Sequence, residues 1–283
     1  MTQKNLVTGC SGFVGSELIK YLDKKKYKTI CVSRNIEDKS TIPFNNKDKI
    51  KKAIRNSDVI IHLAASVNPF DKKIWKINVD YTKLLVDEAK KYNKRFIFLS
   101  THNVLFGKDN YSETKRQAEK IVRVLKNFVI LRPTIVYGIG DKYIGRLSKI
   151  VKTYPVVPII GNGKNLLQPI YLGDLIKIIE CCINKNIKGT FLVAGKSIVS
   201  YNDLVNSIIK KLKLKRIKVH IPICVIRPFS YLLQKLLKNP PVTTVQLDNL
   251  KIDMVYNVKN IEKTFHIRLS GIEEGVDILL KNA

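Results

Sequence analysis

Short apolar runs alternate with amphipathic stretches through the first two thirds of the chain. The run around Leu6 and Val7 predicts a strand, and Leu18, Ile19 and Leu22 follow at helical spacing. Residues 29–33, 59–65, 95–100, 128–134 and 189–194 are further apolar runs, short enough and unbroken enough to be buried parallel strands. Between them, residues 47–55, 78–91 and 111–125 predict helices. Val79, Leu84, Leu85 and Ala89 fall roughly on one face of the second, and Ala118, Ile121, Val122 and Leu125 on one face of the third. Strand and helix alternating over short links predict a parallel sheet covered on both faces.

From Gly138 the pattern loosens. Gly138-Ile139-Gly140-Asp141 and Gly161-Asn162-Gly163-Lys164 predict loops on either side of a helix near 143–153. Residues 168–172 read as a short strand running into a helix over 174–184, and 189–194 as the last strand. Residues 201–212 read as a helix. Residues 221–237 are apolar with few charges and are expected to cover a core, and 240–283 read as short helices forming a cap.

Composition narrows the class. A chain of 283 residues, 45% hydrophobic, suits one large α/β domain or an α/β domain with a smaller companion, and is ample for a buried core. No charged-then-apolar leader precedes the first strand, and no run approaches the roughly 18 apolar residues of a membrane span. The expectation is a cytoplasmic protein with no membrane span. Its five cysteines, odd in number and set in apolar stretches, read as buried thiols of a reducing compartment, and no metal-ligand spacing is present. The net charge of +28 raises nucleic acid or an anionic membrane surface as partners. Against nucleic acid, the excess is mostly Lys spread along the chain, with Arg scarce and no basic run interleaved with aromatics.

The first turn carries the first candidate chemistry. Gly9-Cys10-Ser11-Gly12-Phe13-Val14-Gly15 links the opening strand to the first helix. Gly9 permits the tight turn, and Gly12 lets backbone approach a pyrophosphate at the helix N-terminus, where free N–H groups and the helix dipole favour an anion. Gly15 lets the helix pack closely on the sheet. The cofactor-binding set is therefore Gly9, Ser11, Gly12, Phe13, Val14 and Gly15, with Leu63, Ala64 and Ala65 giving small residues for a cofactor to lie across. The second strand ends Ser33-Arg34-Asn35, with no carboxylate to accept from a ribose 2′-hydroxyl. Arg34 can instead pair with a 2′-phosphate, so NADP is favoured and NAD is the alternative.

Tyr111 and Lys115 stand four apart on one helix. An ammonium beside a phenol favours the phenolate, making Tyr111 a general acid/base, while Lys115 can also hold the nicotinamide ribose. A Thr101 hydroxyl can bind the substrate oxygen. The same spacing recurs at Tyr21/Lys25 and Tyr231/Lys235, but only Tyr111 follows a strand ending in Ser100-Thr101. His62 reads as structural.

On Thr8–Gly15, His62–Ala65, Asn78, Ser100-Thr101, Tyr111–Lys115, Leu131–Gly138 and Gln168–Asp174, the chain resembles the extended short-chain dehydrogenase/reductase superfamily, in its NAD-dependent epimerase/dehydratase branch. The resemblance implies an α/β fold: a Rossmann-type doubly wound parallel sheet over residues 1–137 and 165–195, and a smaller interleaved C-terminal α/β substrate domain over 138–164 and 196–283. It implies Thr101, Tyr111 and Lys115 as catalytic residues, adds Asn78 and Pro133 to the cofactor site, and implies a homodimer in many members. Only ten positions separate Thr101 from Tyr111, where extended members usually have over twenty. One alignment sets His102 in the hydroxyl position, so Thr101 and His102 are both candidates to touch substrate. Arg146 and Lys164, in the loops expected to face the substrate, are candidates for its diphosphate.

The function expected is an NAD(P)-dependent oxidoreductase or epimerase of a nucleotide-linked sugar, with a 4-keto sugar reduced or epimerised. Two alternatives stand beside it. One is a reductase of a lipid- or isoprenoid-like carbonyl, with 221–237 in peripheral contact with a membrane. The other is a non-catalytic NAD(P)-binding scaffold or RNA-binding relative.

Overall fold

The computed structural model describes residues 3–34, 41–141, 143–237, 240 and 242–281, so Asn35 lies outside the described residues. Alternation of apolar runs and helices is realised as a seven-stranded parallel sheet. Its strands are β1 (Lys4–Thr8), β2 (Lys28–Ser33), β3 (Ile42–Pro43), β4 (Val59–His62), β5 (Arg95–Leu99), β6 (Phe128–Pro133) and a seventh, Gly189–Val193. The spatial order is Gly189–Val193, β6, β5, β4, β1, β2, β3. Every pairing is parallel, with Leu6 level with Ile30 on one side and Ile60 on the other. Strand order reverses between β1 and β4, the position at which open α/β sheets leave a crevice beyond their C-terminal ends.

Helices cover both faces. Leu6, Ile60, Phe96, Phe98 and Ile130 form one core with Ile50 and Ile54 of α2 (Lys47–Arg55), Leu85 and Val86 of α3 (Tyr81–Lys91), and Ala118 and Val122 of α4 (Asn110–Val122). Strand residues of the opposite parity, Val7, Ile61, Ile97 and Val129, are equally buried. So are Leu18 and Leu22 of α1 (Phe13–Lys24). The helix expected to start at Asn78 begins instead with a π-helical turn, Lys76–Asp80, before α3.

Two units divide the chain: Met1–Pro133 with Leu175–Val193, and Thr134–Asp174 with Ala194–Ala283. Residues 134–137, 165–174 and 194–195, expected in the first domain, belong to the second unit. The reason is local: Val136 and Tyr137 pair in parallel with Ile170 and Tyr171 instead of extending the main sheet.

In the second unit, α5 (Ile144–Thr153), α7 (Tyr201–Lys211) and α11 (Ile272–Lys281) pack around Leu147, Val151, Val157, Ile159, Leu204, Ile208 and Val276. α6 (Leu172–Asn184) starts in this unit and continues into the first. Its Asp174 accepts from the Ser270 amide at 2.7 Å, and the Gln168 amide bridges Gly195 and Tyr256. Besides two-residue strands, two five-residue ones escape the sequence pattern, Val156–Ile160 and Ile217–Ile221, and they pair in parallel. Residues 189–194 are therefore not the last strand. α8 (Ile223–Leu236), α9 (Thr244–Asn249) and α10 (Lys259–Phe265) complete the unit. The 221–237 stretch does not cover a core: Ser230 is the buried residue of α8, and most of its large apolar side chains are exposed. Cys224 on that helix is likewise exposed, against the expectation that every thiol is buried. No helix among the described residues is long and apolar enough to cross a membrane.

Candidate active site

The Gly-rich turn leaves β1 at the strand-order reversal. Gly9 takes φ 81°, and a Cβ there would lie 2.7 Å from the Ala64 backbone nitrogen, so the turn and the segment after β4 touch through bare backbone. A Cβ on Gly15 would lie 2.0 Å from the Gly9 carbonyl oxygen. The crowding that fixes Gly15 is thus with the turn itself rather than with the sheet. Gly12 caps α1 with extended backbone and no side-chain hydrogen bond, so the first amides of the helix, from Phe13, Val14 and Gly15, are not claimed by a capping side chain. Ser11 and Ser33 share a hydrogen bond of 2.6 Å, tying the turn to the end of β2. Arg34 follows it, exposed. Hydrogen bonds from Ser66 and the Lys73 amide hold the Asp71 carboxyl below its usual range, and the Arg34 charge contributes.

The segment after β4 is bonded back onto β1. The Leu63 amide donates to the Thr8 carbonyl at 3.1 Å and the Ala64 amide to the Thr8 hydroxyl at 3.4 Å. His62 is fully buried between Thr8 and Thr82, at 2.7 and 2.9 Å, and burial depresses its pKa well below the usual histidine value. It is structural. Asn78 sits in the π-helical turn, buried, and its amide has three bonds: from the Ser66 amide at 2.8 Å, to the Ser66 carbonyl at 2.9 Å, and to Thr114 at 3.0 Å. Asn78, expected at the cofactor site, thus braces the post-β4 segment against α4.

β5 delivers Ser100, Thr101 and His102 at its C-terminal end. Thr101 is buried and its hydroxyl accepts from the Asn103 amide at 3.2 Å. His102 is buried too. Its Nδ1 lies 3.1 Å from the Pro133 carbonyl, its ring packs edge-on to Phe106, and burial pushes its pKa down to about 4. Tyr111 is half-buried in the first turn of α4, where Asp109 caps the helix by accepting from the Ser112 amide at 2.7 Å. One turn on, Lys115 points inward. Its Nζ donates to the Leu99 carbonyl at 2.6 Å and stands 4.0 Å from the centre of the Phe98 ring. Burial pushes its pKa down to about 7, with Glu119 pulling the other way.

Glu119 was not singled out by its sequence position. It is buried on the helix face that carries Lys115, accepts from Ser100 at 2.6 Å and from Arg132 Nε at 2.9 Å, and also meets Arg123. Burial works against its carboxylate, but the Arg132 and Ser100 bonds hold its pKa below the usual range. The available signal was an acid set among the apolar positions Ala118, Ile121 and Val122.

Arg146 and Lys164 belong to the second unit. Arg146 is exposed in the first turn of α5 rather than in a loop. Lys164 lies in its expected loop and lines a groove of about 350 Å³ with Asn162, Asn165, Ile223, Lys251 and Asp253. Among the described residues, no group of three His, Cys, Asp or Glu side chains could hold a metal ion.

The model of the NAD dependent epimerase/dehydratase family matches residues 5–195 of the chain. A UDP-glucose 4-epimerase of Vibrio cholerae is 28% identical over 274 residues, covering 83% of this chain and 84% of that protein. The mitochondrial NADH dehydrogenase [ubiquinone] 1 alpha subcomplex subunit 9 of Dictyostelium discoideum is 23% identical over 294 residues, covering 95% and 81%. Among solved structures, a UDP-glucuronic acid 4-epimerase from Bacillus cereus, in complex with UDP-glucuronic acid and NAD, superposes with a TM-score of 0.78 at 21% identity, covering 99% and 98%. A dTDP-4-dehydrorhamnose reductase from Bacillus anthracis, in complex with NADP, gives 0.76 at 16% identity over the whole of both chains. At these identities the solved structures share the fold.

Proposed function

Since the chain belongs to the NAD dependent epimerase/dehydratase family, we propose that it is an NAD(P)-dependent oxidoreductase or epimerase acting on a nucleotide-linked sugar through Thr101, Tyr111 and Lys115. The observation that carries this is the convergence at the C-terminal end of β5. The Lys115 amine bonds the Leu99 carbonyl, Thr101 follows two residues later, and Tyr111 precedes Lys115 by one helical turn.

The residues present fit a dinucleotide. The turn at Gly9 and Gly15 has no room for side chains, the N-terminus of α1 has no side-chain cap, and both lie at the strand-order reversal. Gly9, Ser11, Gly12, Phe13, Val14 and Gly15 would hold the pyrophosphate, Leu63–Ala65 and Pro133 would flank the cofactor, and Arg34 would meet a 2′-phosphate. NADP is thereby preferred over NAD. A bound nicotinamide supplies or accepts the hydride. Tyr111 would give its phenolic proton to the substrate's carbonyl oxygen in the reductive direction and take the hydroxyl proton in the oxidative one. Thr101, whose oxygen already accepts an amide, keeps its hydroxyl hydrogen to donate to the same substrate oxygen. Lys115 has three donors when protonated, and the Leu99 carbonyl takes one, leaving others for ribose hydroxyls. His102, next to Thr101, would touch substrate, and Arg146 and Lys164 would serve a diphosphate.

Fluorescence titration with NADPH and NADH, followed by turnover assays on UDP- and dTDP-linked sugars, tests this reading. Tyr111→Phe is expected to cut turnover by ~10²–10⁴ while NADPH still binds. Unchanged turnover would remove Tyr111 from the mechanism. Arg34→Ala is expected to weaken NADPH about tenfold or more and to spare NADH, the loss of a charge-assisted bond. Tighter binding of NADH by the unaltered protein would remove the 2′-phosphate assignment.

A non-catalytic NAD(P)-binding role is the second reading. The amine of Lys115, whose charged form burial disfavours and which is turned onto a backbone carbonyl, favours it. So does the long match to a subunit of NADH dehydrogenase. Cofactor binding with no turnover on any nucleotide sugar would select it.

A further inference from the structure

α8 is built inside out. On one side Arg227 pairs with Asp248, Ser230 donates to the Val242 carbonyl at 2.9 Å, and Gln234 accepts from the Thr244 amide at 3.0 Å. The polar side of the helix is therefore the side fastened to the protein. The opposite side carries Val225, Phe229, Leu232 and Leu236, at the i, i+4, i+7, i+11 spacing of a single stripe. These four are 50%, 63%, 54% and 70% exposed. Tyr231 and Lys235 flank the stripe, the Lys235 ammonium 4.5 Å from the centre of the Tyr231 ring.

Charge says what meets this face. Between Asp203 and Asp248 the sequence holds nine Lys or Arg and no acidic residue. Immediately before α8, Ile217 and Val219 are exposed on their strand, with exposed Lys213 and Lys215 ahead of them. An apolar stripe flanked by Lys235, in a stretch of sequence that carries cations and no acid, fits a helix that lies in a membrane interface, its apolar side among acyl chains and its cations at anionic headgroups. A second copy of a chain with net charge +28 would bring like charges together. Nucleic acid would supply anions but no apolar layer to receive the stripe.

We propose that α8 docks the protein onto an anionic lipid bilayer, with Val225, Phe229, Leu232 and Leu236 inserted at the headgroup boundary. The docking is independent of the reaction assigned to Tyr111 and needs no membrane-spanning segment.

The test is flotation of the full chain with vesicles of phosphatidylcholine, with and without roughly a third phosphatidylglycerol, at roughly 0.15 M salt, where exposed charges alone are strongly screened. The protein is expected to float with the anionic vesicles. Replacing Phe229, Leu232 and Leu236 together by Gln should lower the partition coefficient at least about tenfold, because each apolar side chain removed forfeits its burial in the interface. These side chains face solvent, so circular dichroism and NADPH binding should be unchanged. A second variant, Phe229→Trp in a Trp75→Phe background, is expected to shift its emission to the blue on anionic vesicles. Three results would overturn docking by this helix: no flotation, equal flotation of the triple variant, or an indole emission from the second variant that vesicles leave unmoved. Self-association lost in the triple variant, without vesicle binding, would also overturn it and assign the face to a second copy.

Discussion

Lys115 reaches the Leu99 carbonyl at the end of β5 at the cost of burying an amine, and the cost depends on pH. Its pKa falls from the ordinary 10.5 to about 7 because burial disfavours the charged form. A folded state that binds its proton less tightly than the unfolded chain gains stability as pH rises between those two values, and bears the full penalty below the lower one. Lys115→Met removes both the amine and the penalty. The variant's stability relative to the unaltered protein should therefore be greatest near about pH 6 and decline towards about pH 9. Urea midpoints at three pH values read this directly, and a pH-independent difference would mean the buried amine keeps its proton. Gly15 poses the simpler case of volume. With the Gly9 carbonyl 2.0 Å from where a Cβ would sit, Gly15→Ala must push the turn apart. A loss of about 1–3 kcal/mol is expected, the range for overpacking, and cofactor affinity should fall with it. Equal melting temperatures for the two proteins would contradict the crowding.

At the level of elements, α4 is held at both ends by buried polar bonds. Asn78 joins its Thr114 to the segment after β4, and Glu119 joins its last turns to Ser100 and to Arg132 on β6. Asn78→Ala leaves the Ser66 amide and carbonyl without their partner, which should cost about 1–3 kcal/mol. Hydrogen exchange should speed up at Ser66 and in the first turn of α4, and not in β6; uniform acceleration would point to global destabilisation instead. The centre of the main sheet was legible in the sequence because β1, β4, β5 and β6 are apolar runs buried on both faces. The strands Val156–Ile160 and Ile217–Ile221 were not, since Pro158 interrupts one and the other alternates in the wrong sense. Ile217 and Val219 face solvent while Lys218 is half-buried. α8 misled for the same reason: an apolar stripe normally marks the side turned to the core, and here it marks the side turned away. Of the candidate site, Gly9, Gly15, Tyr111 and Lys115 could be picked out because each pattern follows an apolar strand, a context that the other Tyr/Lys pairs lack. Glu119 and the bracing by Asn78 could not, because a single buried polar residue has no periodicity to announce it.

For the whole chain the governing quantity is charge. With 51 Lys and Arg against 23 Asp and Glu, the protein carries a net +28, and compaction gathers that charge into a smaller volume than the unfolded chain occupies. Buried pairs such as Glu119–Arg132 are shielded from salt by the protein around them, whereas repulsion among exposed lysines is not. Added sodium chloride should consequently stabilise the fold. Raising it from roughly 0.02 M to roughly 0.2 M shortens the screening length from about 20 Å to about 7 Å, reaching most of the exposed lysine pairs. An increase of a few degrees in melting temperature is the expected result, on the scale of about 1 kcal/mol for a chain of this size. Sodium sulfate at matched ionic strength separates screening from anion binding: screening alone gives the same rise with both salts, and a larger rise with sulfate reveals specific anion sites. A fall in melting temperature would mean that surface ion pairs outweigh the repulsion, and the excess of lysine would then have to be balanced by pairs such as Lys211–Asp277.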